Sequence, residues 1–246
     1  MLTLNERQPT CLGNPEWSVV FQVIFDFLQD YAYEAFVYGG ANYKTDPNDL
    51  DLIVFGLSNE AQEEFIESMQ LYFSVVEKYE KKTGYRAQII KTTLFGKQVD
   101  WSLSPSQETI FSHAEQIDFT IGACYFDIRK GITLYPFVES SKHIETSLLA
   151  TFVPSQDLIK KDASVIFRMI RILAKYPNFS LDASLGEGLK ILFSNAEKNI
   201  FMDEESIKPN RLHLEIELCW SSGYAYRCLL LPVSYTHLTL PTIYSV

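Results

Sequence analysis

Cysteine and histidine are scarce: the 246 residues hold four of each. Cys11, Cys124, Cys219 and Cys228 lie too far apart for metal-ligand spacing, and they suggest no disulfide framework, so a reducing compartment is expected. His113, His143, His213 and His237 form no ligand pattern either, and no Ser/His/Asp or Cys/His arrangement is visible. No apolar run is long enough to span a bilayer. Residues 1–8 are polar and lack the apolar core of a secretory signal. These absences point to a cytoplasmic chain without a membrane partner. Basic residues are outnumbered, 21 Lys and Arg against 31 Asp and Glu, giving a net charge of −10. That argues against a bare nucleic-acid-binding module, which usually presents a basic face, but leaves room for an enzyme with a local basic groove.

The composition is otherwise that of an ordinary globular protein, 47% hydrophobic and 21% charged, sufficient for one large domain or two small ones. Asn14-Pro15-Glu16 is a helix start, and apolar residues recur with helical period from Val19 to Leu28, predicting a helix to about Tyr31. Strands are expected at 36–38 and 50–55, then a long helix over 59–82 closed by Gly84. Strands at 86–95 and 98–103 flank a turn at Gly96-Lys97, and a further hairpin over 119–127 and 132–135 turns at Lys130-Gly131. After residue 155 the pattern becomes helical, over 162–176, 181–199 and 209–220. The expected fold class is therefore α/β (α+β), a mixed sheet with helices followed by an all-helical segment. The expected boundary divides residues 1–150 from 151–231. Residues 232–246, PVSYTHLTLPTIYSV, have no sustained period. They match a translated transposase-adapter sequence, so they are set aside as a non-native tail, with the natural protein expected to continue differently.

The informative stretch is Phe36-Val-Tyr-Gly-Gly-Ala-Asn-Tyr-Lys-Thr-Asp-Pro-Asn-Asp-Leu-Asp-Leu-Ile-Val54. Asp49 and Asp51 are two apart at the start of a strand, so their side chains share a face. Two carboxylates that close repel each other, and a divalent cation removes the conflict. Magnesium is usually held by one or two carboxylates together with substrate phosphates. Gly39-Gly40 allows a tight turn and the close approach of backbone N–H groups to a phosphate. A later strand carries Asp100.

Gly39-Gly40-Ala41, Asp49-Leu50-Asp51, Val99-Asp100 and Asp118-Phe119-Thr120-Ile121, in that order, resemble the head domain of the bacterial poly(A) polymerases and the CCA-adding tRNA nucleotidyltransferases. The likeness spans roughly residues 15–200 and includes the helical stretch 162–171. It implies a nucleotidyltransferase head followed by a helical neck and partial body. It also implies magnesium-dependent transfer of a nucleotide from a nucleoside triphosphate to an RNA 3′ end, such as that of a tRNA. Asp49 and Asp51 would be the metal ligands, with Asp100 as the third acidic residue of the catalytic set. Gly39, Gly40, Lys44, Asp118, Asp162, Arg168 and Arg171 would contact the nucleotide.

The chain departs from the family pattern at several contacts. Tyr43 stands where an arginine usually grips phosphate, and Lys44 beside it offers a point charge without bidentate geometry. Gln116 and Ile117 replace two arginines. Lys161-Asp162-Ala163-Ser164-Val165 replaces a Glu-Asp-x-x-Arg motif. These losses keep two alternatives open: a nucleotide- or RNA-binding module without turnover, and a transferase acting on a non-RNA acceptor. Several residues also admit plainer roles, Asp162 as a helix cap and Arg168 with Arg171 as the solvated edge of a core stripe.

Overall fold

The computed structural model describes residues 3–5, 8–73, 76–80, 88–105, 107–187, 209–221 and 223–230. The chain forms two compact units. One comprises residues 1–117 and 121–142, the other residues 118–120 and 143–246.

The first unit is built on an eight-stranded mixed sheet. Its strands are β1 (Thr3–Asn5), β2 (Glu34–Tyr38), β3 (Asp49–Leu57), β4 (Val76–Glu80), β5 (Gln88–Leu94), β6 (Lys97–Pro105), β7 (Tyr125–Asp127) and β8 (Ile132–Tyr135), in the order β1-β8-β7-β2-β3-β6-β5-β4. All neighbours are antiparallel except β3 and β6, which run parallel. Alternation divides each strand between two faces. Val37, Leu50, Leu52, Val54, Ile90, Val99, Trp101 and Leu103 join the hydrophobic core. Their neighbours Tyr38, Asp49, Asp51, Asp100 and Ser102 project to the other face.

Helix α1 (Pro15–Leu28) starts as its sequence requires, with proline at the first position and the Asn14 side chain accepting from the Glu16 N–H at 3.0 Å. It buries Trp17, Val20, Phe21, Ile24, Phe27 and Leu28 in the same core. Its end is capped from afar: Arg129 donates to the Leu28 carbonyl at 2.7 Å. Helix α2 (Asn59–Tyr72) is capped by Ser58 and adds Phe65, Ile66 and Met69 to the core.

The expected helix over 59–82 is ten residues too long at its end. At Phe73 the backbone turns extended, and its ring packs 4.9 Å from Phe27 and 5.7 Å from Trp101. The following Val76–Glu80 then pairs with β5 at the sheet edge. Packing and edge pairing override the helical preference of a Glu/Lys-rich stretch; Lys82 and Gly84 lie outside the described residues. The expected strand over 119–127 is also shorter, because Thr120–Gly122 forms a 3-10 turn and only Tyr125–Asp127 pairs. Thr120 instead donates its N–H to the Ala150 carbonyl at 2.9 Å, within the second unit.

In the second unit, β9 (Leu148–Leu149) pairs in parallel with β10 (Ser180–Leu181). Helix α4 (Val165–Lys175) matches the helix expected over 162–176, and a separate short helix α3 (Ser155–Lys161), outside that range, precedes it. The break lies at Asp162, whose Oδ1 accepts from the Ser164 N–H at 3.1 Å and the Ser164 hydroxyl at 2.5 Å, a local alternative to helical pairing. Leu181 belongs to a strand, residues 183–187 are helical as expected for 181–199, and residues 188–199 lie outside the described set. A helix at Pro209–Ser221 matches the expectation for 209–220. The 232–246 tail lies outside the described residues. Among the described residues, no helix is long and apolar enough to cross a membrane.

Candidate metal and nucleotide site

Parallel pairing of β3 with β6 sets Asp51 directly beside Asp100, and Asp49 beside Gln98. Oxygens of Asp49, Asp51 and Asp100 come within 4.8 Å of one another, and all three residues are partly buried. Burial, then the charges of Asp49 and Asp100, push the Asp51 carboxyl up to about 8 against the pull of Lys44 and Lys91. At neutral pH Asp51 therefore tends to keep a proton; a divalent cation can take that proton's place, and the oxygen-only ligand set suits a hard ion.

Tyr38 is opposite Asp51 on β2, and its hydroxyl lies 3.5 Å from Ser102 Oγ. Burial and the Asp51 charge hold the Tyr38 phenol well above its ordinary value. Its ring stacks on Tyr125, whose hydroxyl is 2.7 Å from His113 Nδ1, so one flank of the acidic cluster is an aromatic wall.

Immediately after Tyr38 the chain makes a 3-10 turn, Gly39–Asn42. Gly39 has φ +68, and a Cβ there would lie 3.0 Å from Asp51 Oδ2. The positive φ favours glycine through backbone sterics, and a Cβ would crowd the Asp51 carboxylate. Buried Asn42 anchors the turn by donating to the Val37 carbonyl at 3.3 Å and the Cys124 carbonyl at 2.7 Å. The Lys44 N–H donates to the Gly40 carbonyl at 2.9 Å, and Lys44 Nζ lies over the Tyr43 ring at 5.4 Å. Gly39, Gly40, Lys44, Asp49, Asp51 and Asp100 are thus gathered in the first unit. The glycines come from the turn after β2 and Lys44 from just beyond it, Asp49 and Asp51 from the start of β3, and Asp100 from within β6.

Asp118, Asp162, Arg168 and Arg171 lie in the second unit and form a different arrangement. Arg168 pairs with Asp118 and donates Nε to Glu215 Oε1 at 2.9 Å. Arg171 donates through Nε and Nη2 to Glu215 Oε2 at 3.2 and 3.0 Å. Burial pulls the Arg168 guanidinium below its ordinary value, opposed by the Glu215 charge. Arg211 donates to Asp162 Oδ2 at 2.6 Å. Glu215 and Arg211 were not foreseen. Glu215 is one of several acids in an ordinary amphipathic helix, and nothing local distinguishes it.

No known family pattern matches the sequence, and no curated protein does. Solved structures do match. A Thermotoga maritima CCA-adding enzyme complexed with tRNA superposes with TM-score 0.70 at 18% identity, over 96% of this chain and 55% of that one. A tRNA nucleotidyltransferase complexed with a primer tRNA and an incoming ATP analogue gives 0.65 at 18% identity, over 87% and 61%. A Bacillus stearothermophilus CCA-adding enzyme in complex with CTP gives 0.62 at 16% identity, over 88% and 51%. This chain spans between half and two thirds of the length of those structures. Across that length, it has the fold of the CCA-adding tRNA nucleotidyltransferases.

Proposed function

We propose that this protein is a magnesium-dependent nucleotidyltransferase that joins a nucleotide from a nucleoside triphosphate to an RNA 3′ end. The observation that carries the reading is the convergence of Asp49, Asp51 and Asp100 beside the glycine turn. The fold likeness to structures described with tRNA, CTP and an ATP analogue supports it. In the proposed reaction the terminal hydroxyl attacks the α-phosphorus and pyrophosphate leaves. Asp49 and Asp51 would hold the ion, which would supply charge neutralisation for an in-line displacement. Asp100 orients the attacking hydroxyl or tunes the acidic pair. Gly39 and Gly40 present backbone to the triphosphate, and Lys44 adds a positive charge. Asp118, Asp162, Arg168 and Arg171 serve nucleotide contact in this reading.

One observation favours a second reading, a module that binds nucleotide or RNA without turnover. Arg168 and Arg171 are engaged by Glu215, and Asp162 by Arg211. Calorimetric titration with ATP and with CTP, with and without magnesium, tests the site directly. Magnesium-dependent binding that an Asp49→Asn, Asp51→Asn double variant loses supports the metal site, and labelled extension of a tRNA primer then separates transfer from binding alone. Absence of binding by folded protein, or binding indifferent to magnesium and to the double change, rejects the transferase.

A further inference from the structure

Both oxygens of Asp100 are engaged by neighbouring side chains. Gln98 precedes it by two residues on β6, so it shares the face, and donates its amide to Oδ1 at 2.7 Å. Lys91 is directly opposite on β5 and brings its ammonium within 3.2 Å of Oδ2. The backbone fixes this pairing. A slip of β5 against β6 would also separate the buried pairs Ile90 with Trp101 and Thr92 with Val99. With 35% of the Lys91 side chain and 19% of the Asp100 side chain exposed, the contact is only partly screened by solvent.

This arrangement changes the charge balance of the cluster. Three carboxylates against the Lys91 and Lys44 ammoniums leave one negative charge, which one divalent cation more than neutralises. Lys44 also acts on Asp51 from the glycine turn. A second divalent ion would enter a site that already carries net positive charge, against an ammonium already on the carboxylate it needs.

We infer that, before nucleotide binds, the site takes one divalent cation at Asp49 and Asp51, while Lys91 and Gln98 occupy the positions on Asp100 that a second ion would require. Lys91 is thus a positioning residue, a fixed monovalent substitute for a second metal. The inference rests on the metal reading in the proposed function. The test is titration of the full chain with Mn2+ alone, free ion being counted by electron paramagnetic resonance. The expected result is one Mn2+ per chain for the native protein, none for Asp49→Asn, Asp51→Asn, and a second ion for Lys91→Met. Lys91→Arg, which keeps the charge, holds one. Lys91→Gln replaces Lys91→Met should the latter fail to fold by circular dichroism. Two ions in the native protein, or one ion in both the native and the charge-removed variant, overturn the inference and leave the metal reading standing. No Mn2+ on the native protein overturns both.

Discussion

The two units each gather acidic and basic side chains, but balance them differently. In the first, three aspartates face one another with lysines at the margin, and burial together with the charges of Asp49 and Asp100 raises the Asp51 carboxyl to about 8. In the second, Asp118, Arg168, Glu215 and Arg171 form one chain of ion pairs, with Arg211 closing on Asp162 nearby. Like charges brought together cost stability, and the first arrangement is compatible with a divalent cation that would offset that cost. A completed network instead fixes geometry, and losing one partner strands the others. The comparison predicts that the same kind of substitution will have opposite consequences in the two units.

The largest effect is expected from Glu215→Ala. It leaves Arg168 and Arg171, each about one-fifth exposed, without their shared carboxylate. A loss of about 3–5 kcal/mol in urea unfolding is expected; a loss below about 1 kcal/mol would show that the network is loosely solvated and end the contrast.

Asp51→Asn should do the reverse, leaving or raising the thermal midpoint because it removes a buried carboxyl that is costly to ionise. It should also weaken magnesium-dependent nucleotide binding by about 100-fold, or about 2.7 kcal/mol. The pH dependence sharpens this. Asp51 has an ordinary value of 3.8 and a folded value of about 8, so between these the unfolded chain holds fewer protons than the folded one. Stability from this group is therefore full below about pH 4 and falls as pH rises toward 8. Thermal melts without metal should show that decline, and Asp51→Asn should flatten it. Magnesium should stabilise the native protein more at pH 8 than at pH 6.

Gly39→Ala tests the turn. With φ +68 and only 3.0 Å from the prospective Cβ to Asp51 Oδ2, it should cost about 1–2 kcal/mol in the same unfolding assay. Arg211→Ala is the smallest. Its side chain is 48% exposed, so loss of the Asp162 pair should cost about 1 kcal/mol or less, and an effect rivalling Glu215→Ala would make the two pairs one cooperative network.

The first unit was the more legible in sequence, for a physical reason. A strand repeats every two residues, so Asp49 and Asp51 announce a shared face, and Gly39-Gly40 announces the turn beside it. What could not be read was register. Nothing short of the pairing of β5 with β6 says that Lys91 meets Asp100. The same limit is harsher in the second unit, where Arg168 and Glu215 are 47 residues apart and meet only through helix packing. Asp162 was readable as a capping residue and does bind Ser164, and it separates α3 from α4. The misread end of α2 has a similar origin. The stretch after Tyr72 favours a helix locally, and Phe73 and the free edge of β5 decide otherwise.

The placement of the indoles has an optical consequence. Trp17 and Trp101 are wholly buried, whereas Trp220 is 62% exposed. Trp101 follows Asp100 on β6 and points to the opposite face, with its Nε1–H donating to Thr92 Oγ1 at 2.9 Å. A shift of β6 caused by an ion or triphosphate on the acidic face would disturb that hydrogen bond and change the emission of Trp101. After Trp220→Phe removes the exposed emitter, the protein's own blue-shifted fluorescence becomes a reporter of events on the far side of the strand.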